Sequence, residues 1–102
     1  MSASNADVDV FQMRFLSRVA AESRRVGRLH GATFASAHES YAVILEELEE
    51  YKAEVFKKRE KRDERLMILE LIQIAASCEK AAVTIATRNS DAFPAHDLEA
   101  SA

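Results

Sequence analysis

Apolar residues recur at helical spacing in three segments of the chain, and short polar stretches separate these segments. In the first segment the repeated positions fall on one face of a helix: Val8, Phe11, Phe15, Leu16, Val19, Val26 and Leu29. Gly31, after this segment, is a natural place for the backbone to leave a helix with a positive φ. The pattern predicts a first amphipathic helix over about 7–29, with Asp7 or Asp9 stabilising its N-terminal end.

The second segment begins with a helix-capping pattern. Ser36 followed three residues later by Glu39 fits a capping box, in which each side chain satisfies a backbone N–H of the other residue. Thr33 is the alternative cap, one turn earlier. The run that follows carries a stripe of apolar residues on one side: Tyr41, Ile44, Leu45, Leu48, Tyr51 and Val55. These features predict a second helix that ends near Lys57.

The charged run at residues 57–62 allows two interpretations. It contains no Gly or Pro to end a helix, so one continuous helix of about 50 residues would fit, but such a helix needs a partner chain to bury its stripe. We favour a break, because Asp63 can cap a new helix and the apolar pattern restarts at Leu66. With a break, the second and third helices form an antiparallel hairpin.

The third segment, from Leu66 to about Arg88, is apolar on nearly all sides and rich in alanine. A three-helix monomer of this length can hardly bury such a helix all round, so we expect a homodimer or homotetramer formed by helix packing. The predicted fold is therefore all-α, an antiparallel bundle of three main helices completed by oligomerisation. Residues 7–88 form its single domain, between a disordered N-terminus at 1–6 and a C-terminal tail at 89–102.

Composition narrows the functional classes. The 102 residues include 17 acidic and 14 basic side chains, for a net charge of −3, which argues against a general nucleic-acid-binding protein. No charge-free apolar segment approaches the roughly 18 residues of a membrane span. Cys78 is the single cysteine, the three histidines are far apart, and the N-terminus does not resemble a secretory signal. We therefore expect a cytoplasmic protein that contacts no membrane.

Two sets of polar residues lie beside the predicted core. On the second helix, Glu47, Glu50 and Glu54 share a face beside the apolar stripe, whereas Glu46 points away from it. On the third helix, Glu70 and Gln73, continued by Ser77, form a polar seam along an otherwise apolar surface. If the hairpin brings the two sets together, their oxygens suit a hard cation such as Mg²⁺. The alternative is that these residues form solvated faces or hydrogen-bond across a subunit interface.

The order Glu46-Glu47-x-x-Glu50 followed by Glu70-x-x-Gln73 resembles the paired EExxE and ExxD motifs of the MazG-like all-α nucleoside triphosphate pyrophosphohydrolases. Gln73 stands where that family has aspartate. The resemblance implies hydrolysis of a nucleoside triphosphate to the monophosphate and pyrophosphate, with Mg²⁺ or Mn²⁺ as cofactor.

The resemblance also implies roles for individual residues. The metal-ligand positions are Glu47, Glu50, Glu70 and Gln73, and the catalytic positions are Glu46 and Glu47. Lys80 and Arg88 are the nearest basic residues that could contact the phosphates of the nucleotide. The alternative function is a non-enzymatic helical homo-oligomer or protein-interaction module, in which the polar seam serves association.

Overall fold

A computed structural model describes residues 3–94 and contains three long helices joined by short connections. They are α1 (Asn5–His30), α2 (Ala37–Val55) and α3 (Glu64–Arg88), with single 3-10 turns at Arg59–Lys61 and Ser90–Ala92. The part of the chain from residue 3 to residue 94 contains no strand, which confirms the all-helical prediction. The predicted disordered N-terminus and C-terminal tail extend onto residues 1, 2 and 95–102, which lie outside the described residues.

Helix α1 begins earlier than the sequence pattern predicted, because Ser4 and not Asp7 or Asp9 is its N-cap. The Ser4 hydroxyl accepts a hydrogen bond from the backbone N–H of Asp7 at 3.1 Å, and the Asp7 carboxylate accepts from the Ser4 N–H at 3.4 Å. The helix ends as predicted at Gly31, whose φ of 87° lies in the region that favours glycine.

Helix α2 begins at Ser36, one of the two predicted caps. The Ser36 hydroxyl accepts from the Glu39 N–H at 3.1 Å. The return contact of the capping box is shifted by one residue, since the Glu39 carboxylate accepts from the Ala35 N–H at 3.0 Å instead of from Ser36.

The predicted break between α2 and α3 is confirmed, and side-chain hydrogen bonds connect the two helix ends. Asp63 caps α3 by accepting from the Leu66 N–H at 3.1 Å. Glu54, buried in the last turn of α2, accepts from the Asp63 N–H at 2.7 Å. Arg62 donates from Nε to the Val55 carbonyl at 3.0 Å. The end of α2 is thereby fixed beside the start of α3.

Hydrogen bonds also connect the two helices at the other end of the α2–α3 pair. The Phe34 N–H donates to the Thr84 hydroxyl at 2.9 Å, and Arg88 Nη2 donates to the Ala35 carbonyl at 3.0 Å. The start of α2 thus lies beside the end of α3, so the two helices run antiparallel, as predicted.

Helix α3 is central, because both α1 and α2 pack on it. The buried apolar cluster is small and consists of Val19 from α1 with Ile72 and Ala76 from α3, with Phe15 and Ala75 packed against it. Many large apolar side chains are exposed, among them Leu16, Tyr41, Leu48, Ile68 and Ile85. No helix within residues 3–94 is long and apolar enough to cross a membrane. The expected oligomer, which would cover this surface, stays a prediction.

Candidate functional site

A groove of about 610 Å³ brings the polar face of α2 together with α3 and the second half of α1. We call it the acidic groove. The carboxylates on its walls come from α1 and α2, and the facing wall of α3 supplies an amide, a hydroxyl and an ammonium group. These residues are Glu22, Glu39, Glu46, Glu47, Glu50, Gln73, Ser77 and Lys80. Five carboxylates therefore surround one opening.

Glu47 is the partly buried carboxylate of this groove. Its Oε1 atom is buried and has no hydrogen-bond partner among the described residues. Burial raises the pKa of Glu47 above its ordinary value, and the nearby charge of Glu50 raises it further, while the Ser77 hydroxyl opposes the rise. A carboxylate in this condition gains free energy if a proton or a cation meets its free oxygen.

Glu70 is the second such carboxylate. It lies near Glu50 and Glu47 but is not among the residues that line the acidic groove. Its Oε2 atom is buried and has no hydrogen-bond partner among residues 3–94. Burial raises the pKa of Glu70, and the nearby charges of Glu50 and then Glu47 add to the rise. The structure thus brings the glutamates of the two predicted sets together across the α2–α3 pair.

The fit to a metal ion rests on donor chemistry. As the side chains stand, no three His, Cys, Asp or Glu residues between 3 and 94 are grouped closely enough to hold a metal ion. The predicted ligands Glu47, Glu50, Glu70 and Gln73 nevertheless offer only oxygen donors. Glu47 and Glu70 each have a buried oxygen without a hydrogen-bond partner. Hard cations such as Mg²⁺ prefer oxygen ligands of this kind.

The two basic candidates lie in different places. Lys80 lines the acidic groove, and its Nζ is 4.5 Å from the centre of the buried Phe34 ring. Arg88 is not on the groove wall, since its guanidinium donates to the carbonyl of Ala35. Lys80 is therefore the predicted phosphate contact that the fold brings to the carboxylates.

Sequence reasoning missed the contribution of α1. Glu22 and Arg25 line the groove and form a salt bridge at 2.8 Å. Their i, i+3 spacing was the available signal, but it does not say which helix they face. Glu46, predicted to point away from the core, is exposed and still lines the groove. The last residue of α1, His30, and Thr33 of the α1–α2 connection also line the wall.

No protein-family model, curated protein or solved structure matches this chain.

Proposed function

We propose that this chain is a subunit of a helical homo-oligomer that binds a divalent cation in the acidic groove and hydrolyses nucleoside triphosphates to the monophosphate and pyrophosphate. In the weaker form of the same proposal, the chain binds nucleotides but hydrolyses them only slowly. The observation that carries it is a pair of buried carboxylate oxygens without hydrogen-bond partners, one on Glu47 of α2 and one on Glu70 of α3.

The residues that would hold the cation are Glu47, Glu50, Glu70 and Gln73. Mg²⁺ bound there would neutralise phosphate charge and make a bound water a better nucleophile. Gln73 contributes a neutral amide oxygen where the other three contribute charge, so the set carries at most three negative charges.

The remaining groove residues suggest how a triphosphate is bound and attacked. Glu46 is exposed on the groove wall, where its carboxylate can accept the proton of an attacking water. Glu47, which would hold the cation through its free oxygen, would thereby also orient the reacting water. Lys80, held over the Phe34 ring and without an ion pair to any described carboxylate, offers its ammonium group to a phosphate.

A second candidate function is a non-enzymatic homo-oligomer or interaction module. The observation that favours it is the amount of exposed apolar surface, which includes Leu66, Ile68, Leu69 and Leu71 in the first two turns of α3. In that case Glu70 and Gln73 would hydrogen-bond across a subunit interface and fix its register.

Pyrophosphate release from a panel of standard and modified nucleoside triphosphates, measured with Mg²⁺ or Mn²⁺, tests the first proposal. We expect turnover that Glu47→Gln or Glu50→Gln abolishes. Glu49→Gln is the matched control, because Glu49 is an exposed glutamate of the same helix that does not line the groove. If no nucleotide is turned over and neither metal nor nucleotide shifts the melting temperature, the hydrolase proposal is wrong and the interaction module is favoured.

A further inference from the structure

The apolar stripe of α1 is covered by its own chain only at one end. Val19 is 8% exposed within the core cluster, and Phe15 packs against that cluster. One and two turns nearer the N-terminus, Phe11 is 56% exposed and Val8 is 42% exposed. These four positions share one helix face. The stripe that binds α1 to α3 therefore continues for about two turns beyond the point where α3 covers it.

We call residues 5–16 the α1 arm. Every residue from 5 to 14 is exposed, and so is Leu16. Apolar side chains also lie off the stripe, since Val10 is 46% and Met13 is 71% exposed. Clusters of large apolar side chains on a capped, regular helix are a mark of an interaction surface, because water is a poor solvent for them.

We propose that the α1 arm packs antiparallel against the α1 arm of a second copy of this chain. The proposal rests on the homo-oligomer part of the proposed function and is independent of catalysis. It specifies the surface, the partner and the direction, none of which follows from the nucleotide chemistry.

The charges of the arm select the antiparallel direction. Asp7 and Asp9 lie in its first half, and Arg14 and Arg18 lie in its last turn and just beyond it. By helical spacing, Asp7, Arg14 and Arg18 lie on one flank of the stripe and Asp9 lies on the other. In a parallel pair opposite flanks meet, which brings Asp7 near the like charge of Asp9 in the second copy. In an antiparallel pair like flanks meet, so a pair centred between Phe11 and Gln12 places Asp7 of one copy between Arg14 and Arg18 of the other at both ends, where the charges attract.

The size of the exposed surface agrees with a dimer. The chain exposes 8173 Å², whereas a compact monomer of its mass is expected to expose about 5,800 Å². Its radius of gyration is 16.1 Å, against about 13 Å for a compact domain of this length. The excess area is larger than the roughly 800 Å² that each partner contributes to a standard interface.

Cysteine crosslinking in the full chain, without nucleotide, tests the direction. In a Cys78→Ser background, Gln12→Cys places a thiol near the centre of the antiparallel pair and should form a covalent dimer on mild oxidation. Asn5→Cys is the matched control, because antiparallel arms hold the two copies of position 5 about 20 Å apart, too far for a disulfide. Crosslinking through position 5, or through neither position, would overturn the proposal.

Charge exchange measured by sedimentation gives a second, independent readout. Replacing both Arg14 and Arg18 by Asp should weaken the dimer about tenfold, and adding Asp7→Arg in the same chain should restore it, with circular dichroism confirming that the helices are retained. A wild-type chain that stays monomeric at all concentrations tested overturns the proposal, and binding of that monomer to lipid vesicles would assign the arm to a lipid surface. If the chain crosslinks as expected but releases no pyrophosphate, the antiparallel arm is supported and only the hydrolase proposal is wrong.

Discussion

The backbone N–H of Phe34 donates a hydrogen bond of 2.9 Å to the hydroxyl of Thr84, and both residues are buried. The same Thr84 hydroxyl also donates a hydrogen bond of 2.7 Å to the carbonyl of Lys80. The connection between α1 and α2 is thereby tied to the last turns of α3. The same contact holds the Phe34 ring beneath the Lys80 ammonium at the acidic groove.

Thr84→Val should therefore destabilise the chain by about 1–3 kcal/mol, because it leaves the buried Phe34 N–H without an acceptor while keeping the volume of the side chain. Urea unfolding followed by circular dichroism measures the change. Thr84→Ser is the control, since it retains the hydroxyl, and it should cost less than Thr84→Val. Equal stability of the wild type and Thr84→Val would contradict the role given to this bond.

Acid should weaken the junction between α2 and α3 through Glu54. The Lys57 ammonium, bonded to this carboxylate at 2.8 Å, and then the Asp63 N–H hold the pKa of Glu54 below its ordinary value of 4.5. The stabilisation is therefore complete above pH 4.5 and is lost as the pH falls through the lower pKa of the folded chain. Glu54→Gln should unfold at lower urea than the wild type at pH 7, and the difference should shrink in strong acid.

The control for that comparison is Glu60→Gln, an exposed glutamate in the same connection. It should leave the pH dependence of unfolding unchanged. A wild type and a Glu54→Gln variant that differ equally at every pH would show that shape, and not charge, is what Glu54 contributes.

Glu70 should have the opposite pH dependence, since burial and the charges of Glu50 and Glu47 raise its pKa. The folded chain then holds a proton more tightly than the unfolded chain, so stability falls as the pH rises from the ordinary value of 4.5 through the raised pKa. In metal-free buffer at pH 7, Glu70→Gln should raise the unfolding free energy by on the order of 1 kcal/mol, because it removes this repulsion. Glu79→Gln, on the exposed side of α3, should have little effect.

Addition of Mg²⁺ should make the wild type more stable than Glu70→Gln, which is the reverse of the order expected without metal. The wild type should gain thermal stability with increasing Mg²⁺, because a bound cation replaces the repulsion by attraction. Glu70→Gln and Glu47→Gln should gain less. Differential scanning fluorimetry with Mg²⁺, and with K⁺ at matched ionic strength, separates binding from screening, and an equal response to both salts would count against a specific site.

Gln73 separates the two proposed functions. Gln73→Asp adds a fourth carboxylate to the set and should tighten Mg²⁺ binding, on the order of tenfold, in an isothermal titration. Gln73→Leu should remove metal binding if the groove holds a cation, but should change the oligomeric state if the seam serves subunit association. Light scattering on the same samples distinguishes these results.

The helix boundaries could be predicted because they depend on residues close in sequence. Ser36, Asp63 and Gly31 act on backbone groups three or four residues away, so their roles follow from spacing alone. The start of α1 was placed late, since Ser4 precedes the first apolar residue of the stripe and gave no periodic signal.

The acidic groove could be predicted only in part. Glu47, Glu50 and Gln73 are predictable because an antiparallel hairpin must bring two neighbouring helices together, whereas Glu70, predicted with them, does not line the groove. Glu22, on the other hand, reaches the groove through the packing of Val19 against α3, and nothing in the local sequence fixes the rotation of one helix against another.

The sequence by itself determined three capped helices, the hairpin of the second and third, and an excess of apolar surface, because these depend on capping contacts and periodicity. Only the tertiary structure decided that Glu54 closes the hairpin and that Lys80 lies over Phe34 while Arg88 lies outside the groove. It also decided where α3 stops covering the stripe of α1. Each of these depends on contacts between distant residues, whose geometry is set by the packing of whole helices.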